Sequence, residues 1–283
     1  MAVSLKHAFT SAVADSGDTS LVQPSNWNDE HTLTLAQGNI LGRTATAGTG
    51  DAVEIPLSFD ASNNATFPGQ VNLVAGTTSI APLDFSSGTL LTSATAGAVE
   101  YDGKVFYGTP QGLQRGVIPG EQFYRLNATR TIASAAGASS VFGVGANVSA
   151  NTVYRFEALY ALSRTVTATS HTLGLAFGGT ATYNNIGYSY YRSATTAFNL
   201  DVAATSSFVT QATATVVAAA RTAASFDAIS LRGTFSCNTA GTFIPQVTFS
   251  VAPGQTTTVN IGSYVFLYPI GTAGANTSVG DWV

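Results

Sequence analysis

Charge is scarce in this sequence. Asp, Glu, Lys and Arg make up 9% of its 283 residues, against roughly 25% in soluble globular proteins. Lysine is scarcer still, occurring only at Lys6 and Lys104. Membrane spans do not explain the deficit. The least charged windows, such as 202–220, are interrupted every second or third residue by Thr, Ser or Gln, and nothing approaches the ~20 consecutive apolar residues a span requires. No membrane insertion is expected. The composition describes a surface of Thr, Ser, Asn and Gly that keeps much of its area in subunit contacts and suits life outside a cell.

Other absences narrow the chemistry. Cys237 is the only cysteine, so no disulfide can form within the chain. It continues the apolar alternation Ile229, Leu231, Phe235, which predicts a buried, inert thiol. Residues 120–283 carry seven arginines against five acidic groups, while residues 1–119 carry four basic against ten acidic groups. A balance of +2 spread over 164 residues is too diffuse for nucleic acid, which needs a basic stripe. The histidines are His7, His31 and His171, with no glycine-x-serine-x-glycine elbow and no pair at metal-ligand spacing. No metal or cofactor is expected. Polysaccharide hydrolysis needs two carboxyl groups about 5–9.5 Å apart. Glu121, Glu157, Asp201, Asp227 and Asp281 are isolated in sequence, with Glu157 reading as an ion pair with Arg155 and His171 as an exposed turn residue. The chain is not expected to be an enzyme. Its first residues lack the apolar core of a signal peptide, and Lys6 follows the first apolar residues rather than preceding them.

What is present is β-structure. In 242–271, Phe243, Pro245, Val247, Phe249 and Val251 alternate with polar or small residues, Pro253-Gly254 makes a turn, and 264–268 is apolar on both faces. This predicts two strands closing one sheet, the second buried between layers. Further strands are expected over 122–126, 152–162, 172–177, 185–191 and 226–235, and a strand or extended loop over 212–224. Many strands with turn signals and no crossover helix predict an all-β fold whose C-terminal part is an antiparallel β-sandwich or jelly roll. Leu5, Phe9 and Val13 would allow a short helix before the turn at Asp15–Asp18. A weak repeat, Thr44–Ile55 and Ser93–Tyr101, places a glycine turn before a short strand, and Asp102-Gly103 predicts a hairpin turn within 99–107. Units this small cannot offset chain ordering of ~1–2 kcal/mol per residue without sharing a core with other copies. Residues 115–120 read as a linker. The expected divisions are therefore 1–35, a β-rich shaft over 36–119, and a head over 120–283.

One stretch has the composition of a binding surface. Residues 181–192 hold four tyrosines, two asparagines and an arginine. Tyr supplies rigid amphipathic contact area and Asn and Arg supply directional hydrogen bonds. Tyr183, Asn184, Asn185, Tyr188, Tyr191 and Arg192 are the candidate binding residues. The alternative is that Tyr188 and Tyr190 face the core, with Tyr183 and Tyr191 ordinary surface residues.

The run KHAFTSAVADSGDTSLVQPSNWNDEHTLTL, followed by ILGRTATAGTGDAVEI, resembles the N-terminal portion of bacteriophage fibre and appendage proteins, and AVEYDGKVFYGTP resembles a box of phage tail fibres. The resemblance implies an N-terminal segment fixed to the virion, with Phe9, Pro24, Trp27, His31 and Arg43 at or near the docking surface. By patterning, the head resembles the trimeric jelly-roll heads of the tumour-necrosis-factor and C1q kind. That would place the last long strand near a threefold axis, with Tyr264, Phe266 and Tyr268 in core or interface. The implied function is a homotrimeric virion appendage, made in the host cytoplasm, whose partners are itself, other virion proteins and a host-surface glycan or protein. The alternative is a capsid-decorating or neck fibre with a stabilising role, and the least favoured is a glycan depolymerase.

Overall fold

The computed structural model describes residues 3–5, 13, 14, 17, 31–33, 40–42, 53–55, 58–62, 64–67, 69–195 and 205–282. The chain divides into two units, 1–84 and 85–283. Every described strand pairing is antiparallel and no described residue is helical, which makes the protein all-β. Accordingly, among the described residues no helix is long and apolar enough to cross a membrane.

Among its described residues the first unit contains three short ladders: β1 (Val3–Leu5) with β2 (His31–Leu33), β3 (Ile40–Gly42) with β4 (Val53–Ile55), and β5 (Ser58–Phe59) with β6 (Ala65–Thr66). The start of the proposed helix is thus strand at Val3–Leu5, and Phe9 lies outside the described residues. From 69 to 84 the chain forms no ladder, and Val74, Ile80 and Leu83 are exposed.

The second unit begins with a three-stranded neck, β7 (Val99–Tyr101), β8 (Phe106–Gly108) and β9 (Gly116–Ile118). Its first turn is built by Asp102 and Gly103. The Asp102 carboxylate accepts the amides of Lys104 and Val105 at 2.8 and 2.7 Å and the Tyr107 hydroxyl at 3.0 Å, while Gly103 takes a φ of 91° that other residues rarely adopt. Burial, with the adjacent Asp102 carboxylate, pushes the Tyr107 phenol up to about 12. Residues 116–118, expected as linker, instead form the third neck strand, because Val117 faces Tyr107 across the ladder. The two repeat copies both form strands, but Val53–Ile55 pairs with a strand before it and Val99–Tyr101 with one after it.

The head contains β10 (Gln122–Arg125), β11 (Arg130–Ile132), β12 (Gly137–Ser140), β13 (Ala146–Val148), β14 (Thr152–Arg164), β15 (His171–Gly178), β16 (Thr182–Thr195), β17 (Thr205–Val209), β18 (Thr215–Arg221), β19 (Ser225–Thr239), β20 (Gly241–Phe249), β21 (Thr257–Val259) and β22 (Tyr264–Thr272). The large sheet runs β10-β22-β14-β19-β16-β17, with the β11–β21 pair attached through β14, and the small sheet runs β12-β20-β15-β18, with β13 against β20. The sheets form a sandwich. The stretch 212–224, expected as a strand or extended loop, supplies β18.

Alternation builds the core from both sheets. Phe156, Tyr188 and Phe235 from the large sheet meet Phe177 and Phe243 from the small one, with ring centroids 5.2 Å apart for Phe156–Phe177, 5.0 Å for Phe177–Tyr188 and 4.6 Å for Phe235–Phe243. Each such buried side chain contributes about 1.5–3 kcal/mol. Gly233 lets β16 close against β19, since a Cβ there would stand 2.5 Å from that of Tyr188. Cys237 is buried, as expected, and burial pushes its thiol up. The two strands of 242–271 are not partners in one sheet. β20 belongs to the small sheet and β22 to the large one, and the turn at Pro253-Gly254 lies on the crossing between them. Both strands bury alternate residues in the same core from opposite sides, so their pattern alone could not assign the sheet. On β22, Val265 and Leu267 are buried while Tyr264, Phe266 and Tyr268 stand half-buried on the outer face.

Candidate functional site

The tyrosine-rich strand β16 does not present its candidate residues together. Between Thr182 and Asn185 its register against β19 shifts, Tyr183 facing Cys237 and Asn185 facing Ser236. The extra residue reverses the parity of the strand. Tyr183 therefore points inward on one side of the bulge, 5.3 Å from the Phe235 ring, and Ile186, Tyr188 and Tyr190 point inward on the other. Tyr188 is 0% exposed, so its place is the core and not a surface site. Burial raises the phenols of both Tyr183 and Tyr188, the former to about 12. Asn184 and Asn185 are exposed at the bulge, with Asn184 Nδ2 donating to Ser236 Oγ at 3.2 Å.

Tyr191 is the candidate tyrosine that faces outward, 54% exposed. It lines a groove of about 390 Å³ on the outer face of the large sheet, together with Glu157, Ser189, Ser206, Ser230 and Arg232. The sheet register arranges these residues in two rows. Leu159, Ser230, Tyr191 and Ser206 face one another across four strands, and Glu157, Arg232, Ser189 and Phe208 do so in the next row, about 7 Å away along the strands. Phe208 is exposed and its ring lies over Gly187, where an added Cβ would meet it at 3.1 Å.

The two charges of this groove, Glu157 and Arg232, face each other across β14 and β19 without forming a close ion pair. Glu157 is bonded by the Tyr264 hydroxyl at 3.4 Å rather than paired with Arg155, and Arg232 has no hydrogen bond or ion pair among the described residues. Burial and the Glu157 carboxylate together raise the Tyr264 phenol. No family model, curated protein or solved structure matches this chain. What the groove can do therefore follows from its own chemistry: an aromatic face, three hydroxyls, a carboxylate and a guanidinium open to solvent can hold a polar ligand of one or two ring diameters.

Arg192 belongs to a different cluster, at the end of the sandwich where β14, β16 and β18 finish and β15 and β19 begin. Its Nε and Nη2 donate to Asp227 Oδ1 at 2.9 and 2.7 Å, and Arg221 donates to the other carboxylate oxygen. Arg164 Nη1 donates to His171 Nε2 at 2.6 Å, and His171 Nδ1 donates to the Thr169 carbonyl at 2.9 Å. His171 is thus buried and not an exposed turn residue, because β15 begins with it and its ring packs edge-on to Phe249, 5.6 Å away. Burial holds its imidazole below the usual range, with Arg164 and Arg221 adding to the effect. Burial and the neighbouring Arg221 also push Arg164 down to about 10.

Of the residues expected to dock on a virion, His31 lies in β2 opposite Leu5, while Phe9, Pro24, Trp27 and Arg43 lie outside the described residues. Among the described residues no three His, Cys, Asp or Glu side chains gather to hold a metal. Both Asp227 oxygens are engaged by guanidiniums, and Asp201 lies outside the described residues. Ser189, Ser206, Ser230 and Arg232 carried no local signal in sequence. They become a group only through the pairing of β16, β17 and β19.

Proposed function

We propose that this chain is the subunit of a homotrimeric bacteriophage appendage, fixed to the virion by its N-terminal segment and recognising a host-surface glycan or protein with its head. The observation that carries this reading is the polarity of residues 85–282. The chain enters and leaves the head at one end. Lys104 of the neck donates to the Asn151 carbonyl at 2.9 Å, just before β14 begins, and the amide of Ala273, just after β22 ends, donates to the same carbonyl at 3.0 Å. The other end of β14, at Arg164, lies ~40 Å away by strand rise. A head tethered at one end and free at the other is what a fibre tip requires.

Two further features fit the likeness to trimeric jelly-roll heads. Setting aside the added hairpin β16–β17 and the short strands β11, β13 and β21, the sheets read first-eighth-third-sixth and second-seventh-fourth-fifth, which is jelly-roll order. The outer face at the β10–β22 edge carries Phe123, 58% exposed, stacked at 5.9 and 6.5 Å on Tyr264 and Phe266. A contiguous aromatic patch of this kind marks an interaction surface. The N-terminal motifs supply the assignment to phage. The test is to mix labelled, purified protein with candidate bacterial cells: saturable binding that blocks infection supports the reading, and no binding to a host that the parent phage infects shifts it to a stabilising role on the particle. Deleting residues 1–35 should leave a soluble head that no longer joins virions. Normal incorporation of that truncation would remove the anchor from the account.

A further inference from the structure

The groove around Tyr191 and Arg232 has unspent bonding capacity on a face otherwise built to pack. On the same outer face, the β10–β22 edge is aromatic, whereas the β19–β16–β17 side carries Ser230, Arg232, Ser189, Tyr191 and Ser206. None of the three serine hydroxyls, nor the Arg232 guanidinium, bonds to any described residue. Solvent-facing polar groups that converge on a concavity beside an exposed aromatic ring have the composition of a polar-ligand site. Resting on the reading that the head recognises a host surface, we infer that this groove is an oligosaccharide-binding site selective for a carboxylate-bearing sugar.

Each part of the ligand has a counterpart. The exposed Tyr191 ring offers a flat apolar face for the C–H side of a pyranose. Ser189, Ser206 and Ser230 can donate to or accept from ring hydroxyls, and Glu157 can accept from them. Arg232 offers a planar fork that fits a carboxylate with two parallel bonds, which an ammonium could not reproduce. Preference for an acid over a neutral sugar rests on the Arg232 fork; Arg155, one row beyond Glu157 on the same face and outside the groove's lining, adds a second guanidinium nearby. The row spacing of about 7 Å suits one sugar ring per row, so a disaccharide would bridge the Tyr191 row and the Arg232 row. One such site binds weakly, and several copies on one appendage would convert it to firm attachment.

The test is calorimetry or saturation-transfer NMR of the full chain with sialyllactose, an oligogalacturonate and neutral lactose as probes. The expected result is preference for one or both acidic probes over lactose, reduced about tenfold in Arg232→Gln. Tyr191→Ala should weaken acidic and neutral probes alike, by removing the stacking face. Arg232→Lys, which keeps the charge and loses the fork, should fall between. Both side chains lie on the surface, so unchanged melting temperature and unchanged mass of the variants confirm that folding and assembly are intact. Equal binding of acidic and neutral probes, no binding of any, or wild-type binding by Arg232→Gln would overturn the proposal. If cells are still bound when the sugars or variants give those results, the groove assignment fails while the receptor-binding reading stands. If cells are not bound at all, it is the receptor-binding reading that fails.

Discussion

The head and the stretch 69–83 use apolar residues in opposite ways. In the head, Phe156, Phe235 and Phe243 are sealed between two sheets, whereas Val74, Ile80 and Leu83 lie on the surface of a segment with no ladder. The head satisfies its own hydrophobic residues. The stretch 69–83 leaves its large apolar side chains uncovered by any described residue. Among the described residues, burial is concentrated in the sandwich, and in the proposed trimer neighbouring copies would cover the apolar residues that lie outside it.

The comparison can be broken most directly in the core. Phe235→Ala should cost the head about 3–5 kcal/mol, read as a large fall in the melting temperature, whereas Ile80→Ala should leave the head's melting unchanged and act, if at all, on assembly. A core variant with no effect on melting would remove the distinction. Next comes the polar end of the sandwich. Asp227→Asn leaves two buried guanidiniums with a weakened acceptor and should cost about 3 kcal/mol, measured by denaturant unfolding. A smaller effect is expected from pH. His171 is held neutral in the folded protein below the usual histidine range, so its contribution is present above about 6.5 and is lost as pH falls through the depressed folded value. The melting temperature should therefore drop on acidification, and His171→Gln should flatten that dependence. An equal acid response in the variant would contradict the assignment. The smallest effect should be Tyr160→Phe. The Tyr160 hydroxyl is buried without a hydrogen-bond partner among the described residues, so its removal should be neutral or stabilising within about 1 kcal/mol.

Much of the fold was legible because alternation survives translation into strands. The pattern of Tyr154, Phe156, Ala158, Tyr160 and Leu162 identified β14, and Asp102-Gly103 located the neck turn. Residues whose role depends on what lies across a sheet were not legible. Tyr188 and Tyr190 face the core and Tyr191 the surface, as the alternation of the strand allowed, but the bulge at Tyr183–Asn185 turns Tyr183 inward, and a one-residue insertion of this kind leaves no mark in composition. β20 and β22 both alternate toward one core, so nothing in either strand revealed that they belong to different sheets. His171 read as exposed because its flanking residues are polar, while its partner Arg164 lies across the end of the sandwich. Of the six candidate binding residues, Tyr191 is the one that lines the groove, and its companions come from β14, β16, β17 and β19.

On the proposed reading, the apolar side chains left exposed outside the head, Val74, Ile80 and Leu83 among them, are covered by other copies of the chain. The mass of the full chain in solution, by light scattering at micromolar concentration, tests this most directly. The account predicts three times the 29.0 kDa of a single chain. A stable particle of single-chain mass would contradict it.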